Sequence, residues 1–420
     1  MSKHIDLIRN VSLPGKAIGT VWDVWIVGLK IDAIVPHDDK SPSHTYSTLD
    51  GRGALLAPSL CHPRVRLDAM NFSSEQQALH KSTEPNAKDL LPQWAKDYGL
   101  SMTGYRKMHG LCSAGVTHMR ALVEVKADDS ATRILDAAVE MRNRFEQEGR
   151  CIVQICAMFR GPLISSTDGE RGRASSERLI QNVASRAGVD AIGSVPALEA
   201  NTNDREAHIE TMVDLAIALD LHLDLELERN LSTNPSVWDV LEVLKTKEWS
   251  KRTTRKTVLL SGSNSVFDLS DPEKGRLRDE MADFPSTFVY TQSDELNKTR
   301  KVISLIRDQG IRVCFGVEAS DDMGPTPESY DPVKSISTDD DASRELGEAD
   351  AELLYEGVCR RPRQGIGHGK KMIQGLELKV GADANFVLFD HEQTTFTEVL
   401  SPHAGFWGRQ VLLQGSLVAC

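Results

Sequence analysis

The sequence predicts an α/β protein: a (β/α)8 TIM-type barrel joined to a small β-sandwich domain that both termini build. Three observations carry this reading. The chain of 420 residues is long enough to bury a large core. Its centre holds eight short apolar runs with helical patterns between several of them, the signature of parallel βαβ units. Its two ends carry alternating, hairpin-like segments instead. The expected division is 1–53 and 373–420 for the two parts of the small β-domain, and 54–372 for the barrel.

Taken in order, "VWDVWIVGLKIDAIVPHD" (21–38) alternates and places Gly28 between two apolar stretches, as a hairpin requires. The barrel strands are expected at "ALLAPSL" (54–60), "THMRALVEV" (117–125), "CIVQICAM" (151–158), "AIGSVPAL" (191–198), "LHLDLELE" (221–228), "TVLLSGS" (257–263), "TFVYTQS" (287–293) and "IRVCFGVE" (311–318). Between them, "ATRILDAAVEMRNRFEQEG" puts Ile134, Ala138, Met141 and Phe145 on one helical face. "REAHIETMVDLAIALD" does the same with Ile209, Met212, Val213, Ala216 and Ile217. "LELKVGADANFVLFD" and "RQVLLQGSLVAC" near the end read as hairpins again. Residues 37–52 and 319–346 are polar, turn-rich insertions. The second follows the eighth strand, where barrel loops reach the catalytic end, so it either covers a site or is a solvated acidic loop.

Composition narrows the partners. With 49 basic and 61 acidic residues the net charge is -12, which disfavours nucleic acid and anionic membranes. A small-molecule substrate is the expected partner. The N-terminus carries neither a signal-peptide pattern nor a membrane-length apolar run, so a cytoplasmic protein is expected. Seven cysteines without CxxC spacing suggest reduced thiols, with Cys151 and Cys156 in the core. GxGxxG, phosphate-loop, GxSxG and HExxH patterns are absent.

One strand raises the chemical question. "LLAPSLCHPRVRLD" (55–68) places Arg64 and Arg66 two apart, a spacing that points both side chains to one side of a strand and into the barrel mouth. That strand, with "GVTHMRALVEV", "CIVQICAM", "AIGSVPALEA", "DLHLDLELE", "KTVLLSGS", "STFVYTQSD" and "LKVGADANFVLFD", resembles the cytosine-deaminase-like branch of the amidohydrolase superfamily, especially the fungal amidohydrolase-related proteins. The resemblance runs from about residue 20 to residue 415.

The resemblance implies a metal centre whose ligands are largely replaced here. Arg64 and Arg66 stand where the family has a metal-binding His-x-His, and His222 matches a third histidine. Leu225 stands where deaminases have a proton-shuttling glutamate, Ser261-Gly262 where they have Gly-His, and Arg160 where a glutamine reads the substrate amide. Glu318 takes or neighbours the place of the aspartate that ends the eighth strand; Asp294 matches a Ser-Asp pair of the fungal relatives and is grouped with the substrate contacts without a role of its own. Homo-oligomers are also implied.

A guanidinium stays protonated and offers no lone pair, so neither metal nor another cofactor is expected. His62, two residues before Arg64, could be a lone ligand after a register shift; His118 is expected to be a packing residue. The arginines have two readings. They pair with Glu318 and Asp224 and fill an obsolete cavity, or with Arg160 they clamp a carboxylate or enolate. His222 is either an acid/base, made more basic by Asp224 on the same face, or a hydrogen-bonded core histidine. Glu318 either carries protons or pairs with an arginine.

The expectation is therefore an enzyme of small-molecule metabolism, secondary metabolism included, working by metal-free acid/base chemistry on an anionic or carbonyl-rich substrate: isomerisation, cyclisation, elimination or hydration. A residual amidohydrolase acting on a C–N bond of a cyclic amide and an inactive binding or regulatory protein are the alternatives.

Overall fold

The computed structural model describes residues 3–38, 47–67, 102–125, 130–165, 169–227, 237–291, 296–317, 331–337, 346–369, 375–401, 404 and 408–418. Near the N-terminus, β1 (Leu7–Val11), β2 (Trp22–Val27), β3 (Lys30–Pro36) and β4 (Thr48–Asp50) form a sheet in the order β3-β2-β1-β4. β2 and β3 are the expected hairpin, turning at Gly28 with φ +60°, a conformation that glycine adopts more readily than any other residue.

The barrel strands are β6 (Leu60–Arg66), β7 (Val116–Val125), β8 (Ile152–Phe159), β9 (Ala191–Ser194), β10 (His222–Glu226), β11 (Val258–Ser261), β12 (Ser286–Thr291) and β13 (Val313–Gly316). They lie side by side in chain order, every described pairing parallel. The two edges meet where the Val317 N–H donates to His62 Nε2 at 3.1 Å, which brings the barrel close to closure.

The first expected barrel strand splits in two. β5 (Leu56–Pro58) joins a terminal sheet, and β6 begins only at Leu60. Pro58 has no N–H to continue a ladder, so the chain changes sheet there. β6 is also bulged between His62 and Val65, around Pro63. β9 is shorter than expected because Pro196 opens a 3-10 turn, Pro196–Leu198.

Helices α1 (Met102–Ala114), α2 (Ser130–Gln147), α3 (Gly169–Ala184), α4 (Thr202–Ala218), α5 (Val237–Thr246), α6 (Asp271–Ala282) and α7 (Leu296–Arg307) separate the strands. Asn201 caps α4 by accepting the Asp204 N–H, and the five predicted apolar residues of that helix are all buried. In α2, Ala138, Met141 and Phe145 are buried, but Ile134 near the helix start is 37% exposed and Leu135 is buried instead.

After β13 come α8 (Glu348–Glu356) and α9 (Arg360–Gly365). The stretch after α9 seals the N-terminal end of the barrel: the Ile366 carbonyl accepts Gln154 Nε2 at 2.8 Å and Arg120 Nη2 at 3.5 Å. β14 (Phe386–Leu388), β15 (Gln410–Leu413) and β16 (Ser416–Leu417) complete an antiparallel sheet in the order β16-β15-β14-β5. β15 and β16 are an expected hairpin, with Gln414 and Gly415 both at positive φ. "LELKVGADANFVLFD" gives one strand only, because a turn at Gly381 (φ +82°) interrupts it.

The two terminal sheets share one apolar core in which Ile8, Val24, Ile26 and Ile31 meet Leu56, Phe386, Leu388 and Leu412. Six described cysteines are free and buried, Cys151 and Cys156 among them. No described helix is long and apolar enough to cross a membrane. The two predicted insertions fall mainly on 39–46, 318–330 and 338–345, outside the described residues.

The interior of the barrel is tightly filled at Gly193, where a Cβ would stand 2.6 Å from Met158 Sδ and 2.9 Å from the Asp224 carbonyl. Gly193→Ala should therefore cost about 1–3 kcal/mol and lower the urea midpoint. Gly275→Ala on α6, with nothing within 4 Å of its Cβ, should raise it slightly. Equal midpoints for the two variants would contradict this packing.

Candidate functional site

Alternate residues of a strand share a face, so β10 presents His222, Asp224 and Glu226 on one side, at rising depth along the strand. Asp224 is fully buried. Arg64 Nε, from β6, lies 2.9 Å from Asp224 Oδ1, and Arg120 Nη1, from β7, lies 3.8 Å from Oδ2. Both are ion pairs. One step nearer the C-terminal end, Glu226 lies between two more guanidinium contacts: Arg160 Nη2 at 3.4 Å from Oε1 and Arg64 Nη2 at 3.7 Å from Oε2.

Burial drives this cluster's electrostatics. It raises the Asp224 carboxyl above its ordinary value, and the pull of Arg64 and Arg120 does not cancel the rise, which Glu226 reinforces. Burial likewise lowers Arg120, against the pull of Asp224. Arg120 keeps its geometry by donating from Nε to Gln154 Oε1 at 3.1 Å, its cross-strand neighbour in the register.

The predicted residues divide into two groups. Arg64, Arg160 and Asp224 come together, with Glu226 and Arg120 as members that the sequence reading missed. Arg66 is set apart: its side chain is 36% exposed and lies 3.9 Å from Glu124 on β7. The β6 bulge separates the two arginines' environments although their spacing suggested one. Glu318 and Asp294 lie outside the described residues.

His222 opens β10 and sits at the opposite, N-terminal end of the barrel. Its Nδ1 accepts the Thr257 N–H at 3.0 Å and lies 2.9 Å from the Thr257 hydroxyl, which leaves the ring proton to Nε2. Gly367 packs so closely on the ring that a Cβ would fall 2.4 Å from Cε1. The increase in basicity expected from Asp224 is not found. Burial, with Arg120, Lys256 and His368 nearby, lowers His222 to about 2. Burial also brings His62 to about 3, helped by Lys107 and Arg64, and His368 to about 4, helped by Arg120 and Arg363. His118 is buried, 2.9 Å from the Thr117 hydroxyl and edge-on to His368, a packing residue as expected.

The implied metal can be tested against these side chains. Asp224 and Glu226 each face two guanidinium groups, and both ring nitrogens of His62 face backbone N–H groups, Nε2 that of Val317 at 3.1 Å and Nδ1 that of Arg64 at 3.3 Å, of which a neutral ring accepts one. Among the described residues no three His, Cys, Asp or Glu side chains are grouped so that they could hold an ion. A divalent cation here would adjoin fixed positive charge and find its carboxylates already engaged by arginine. The described residues do not fit it.

No family model matches the chain, and no curated protein sequence matches it. Solved structures do match. N-isopropylammelide isopropylaminohydrolase from Burkholderia multivorans is 21% identical, with a TM-score of 0.70, covering 98% of this chain and 97% of that one. 5-Methylcytosine deaminase from Klebsiella pneumoniae is 16% identical with a TM-score of 0.72, covering 98% of each chain. Guanine deaminase from C. acetobutylicum is 14% identical with a TM-score of 0.56, covering 99% of this chain and 100% of that one. At these identities the likeness establishes the fold alone: the chain shares the overall fold of these proteins.

The buried imidazoles predict a pH dependence of stability. His222, His62 and His368 all have folded values below their ordinary 6.5, so the unfolded chain takes up protons first as pH falls. Stability should be full above about pH 6.5 and fall as pH drops from there toward the folded values. Glu199, lowered from 4.5 to about 2, adds its own loss only below about pH 4.5. His222→Asn, which keeps an acceptor for the Thr257 N–H, should flatten the dependence between pH 6 and 5 by up to about 1.4 kcal/mol per pH unit, read from urea unfolding. An unchanged slope would show that His222 is not held neutral.

Proposed function

We propose that the chain is an amidohydrolase-fold enzyme that hydrolyses a C–N bond of a small cyclic amide or amino-substituted heterocycle. The observation that supports this most is the Arg64, Arg160, Asp224 and Glu226 cluster toward the C-terminal ends of the strands. That is where barrel enzymes work, and the chain as a whole is matched over 98% of its length by an isopropylaminohydrolase and a 5-methylcytosine deaminase.

In this reading Arg64 and Arg160 are fixed cations facing the ring carbonyl or ring nitrogen that gains negative charge as water adds. Glu226, whose side chain is 18% exposed, is the carboxylate that solvent reaches. It takes a proton from the attacking water as the C–O bond forms, and returns it to the nitrogen as the C–N bond breaks. Asp224, buried and paired, holds Arg64 in place. Glu318 remains proposed as a second proton carrier and Asp294 as a substrate contact. His222 has no part in this scheme, because its imidazole faces Thr257 and Gly367 at the other end of the barrel.

A second reading, favoured by the lack of fit to a metal, is isomerisation, cyclisation, elimination or hydration of an anionic or carbonyl-rich compound by the same arginines and carboxylates. Hydrolysis in such barrels commonly uses metal-activated water; these other reactions need none.

The test is to incubate the purified protein with aminopyrimidines, aminotriazines and cyclic amides and measure released ammonia or amine. Release is expected without added metal, and Arg64→Met and Glu226→Gln should each lower kcat/KM by about 100-fold or more. Turnover to an isomer or dehydrated product without amine release supports the second reading. Tight ligand binding with no turnover points to a catalytically silent binding protein.

A further inference from the structure

The loop that leaves β8 carries Arg160 to the barrel mouth and is tied down by one carboxylate. Glu199 follows the Pro196–Leu198 turn beyond β9. Its Oε1 accepts the N–H of Leu163 at 2.6 Å and of Ile164 at 3.1 Å, and lies 2.5 Å from His208 Nδ1. Its Oε2 accepts the Ser165 N–H at 2.9 Å and the Ser165 hydroxyl at 2.6 Å. Ser165 Oγ in turn accepts the Ala200 N–H at 3.1 Å.

The Glu199 and His208 side chains are both 0% exposed. Burial alone would raise the Glu199 carboxyl; the hydrogen bonds of His208, Ser165 and the loop amides outweigh it and bring it down to about 2. His208, on α4, has its other ring nitrogen buried with no hydrogen-bond partner, so its polar contact in the described residues is with Glu199. Between Arg160 and the first tied amide stand only Gly161 and Pro162, and the proline ring fixes its own φ. The lock therefore acts close to the guanidinium.

We infer that Glu199 is a positioning residue, which fixes the loop after β8 so that Arg160 stays opposed to Glu226. The consequence for turnover rests on the hydrolytic site proposed above. The loop lock itself does not, since it is defined by hydrogen bonds from the loop to Glu199.

Hydrogen exchange separates the two. In Glu199→Gln the amides of Leu163, Ile164 and Ser165 should exchange about 100-fold faster, with β8 unchanged. Ser165→Ala, which removes one of the five donors and keeps the charge, should accelerate them by about tenfold or less. With a substrate from the amine-release panel, Glu199→Gln should lower kcat about tenfold or more. Adding Arg160→Met to that variant should then lower it no further, because both changes remove the same contact. Unchanged loop exchange, or effects of the two substitutions that multiply in full, overturns the inference. If no compound is turned over, the hydrolytic reading falls, and the exchange rates alone decide whether Glu199 holds the loop.

Discussion

Asp224 sits with no solvent contact inside a barrel whose walls are otherwise mostly apolar, and a carboxylate cannot stay charged there alone. Arg64 and Arg120 approach its two oxygens from neighbouring strands. Arg120 is itself fully buried and needs acceptors, which it finds in Gln154 and the Ile366 carbonyl. Arg64 reaches upward to Glu226, which Arg160 shares. A continuous ladder of opposite charges and hydrogen bonds thus runs from the seal at the N-terminal end to the mouth. Removing Asp224 would leave the fully buried Arg120 without its carboxylate, at a cost of about 3–5 kcal/mol.

This ladder explains why the interior face of β10 reads His-x-Asp-x-Glu. Fixed cations at Arg64 and Arg120 demand an anion at their level, and Arg160 demands one a layer higher. Lysine would not replace Arg64 well, since the planar guanidinium addresses Asp224 through Nε and Glu226 through Nη2 at once. The same arrangement accounts for the poor fit to a divalent ion: the oxygens that would ligate it already neutralise arginine.

Much of the fold was legible because it follows from local pattern. The strand runs, the Gly28 hairpin and the buried face of α4 depend on periodicity and turn chemistry within a few residues. The split of 54–60 between two sheets was not legible, as nothing in "ALLAPSL" distinguishes a barrel partner from a terminal-sheet partner except Pro58. In the site, Arg64 and Asp224 could be brought together from the resemblance and the two-residue spacing. Depth could not. His222 and Asp224 share a face, yet two residues along a tilted strand separate a sealed end from a charged core. Arg120 was overlooked as one cation within an apolar strand, and its signal was only its alternation with His118 and Glu124. Glu199 left no trace, because most of its partners are backbone amides that every sequence has.

The two glutamates at the mouth show how geometry divides labour between like side chains. Glu199 receives five donors, which exceeds the roughly four lone-pair sites of a carboxylate, so it has no capacity left for a proton in transit. Glu226 has two long guanidinium contacts, and solvent reaches it. The proton carrier proposed for the site needs a free lone pair and contact with water. A lock needs the reverse: every site filled and no water. Glu226 meets the first set of conditions and Glu199 the second, and the distance between these roles is set by the number and direction of the donors around each carboxylate.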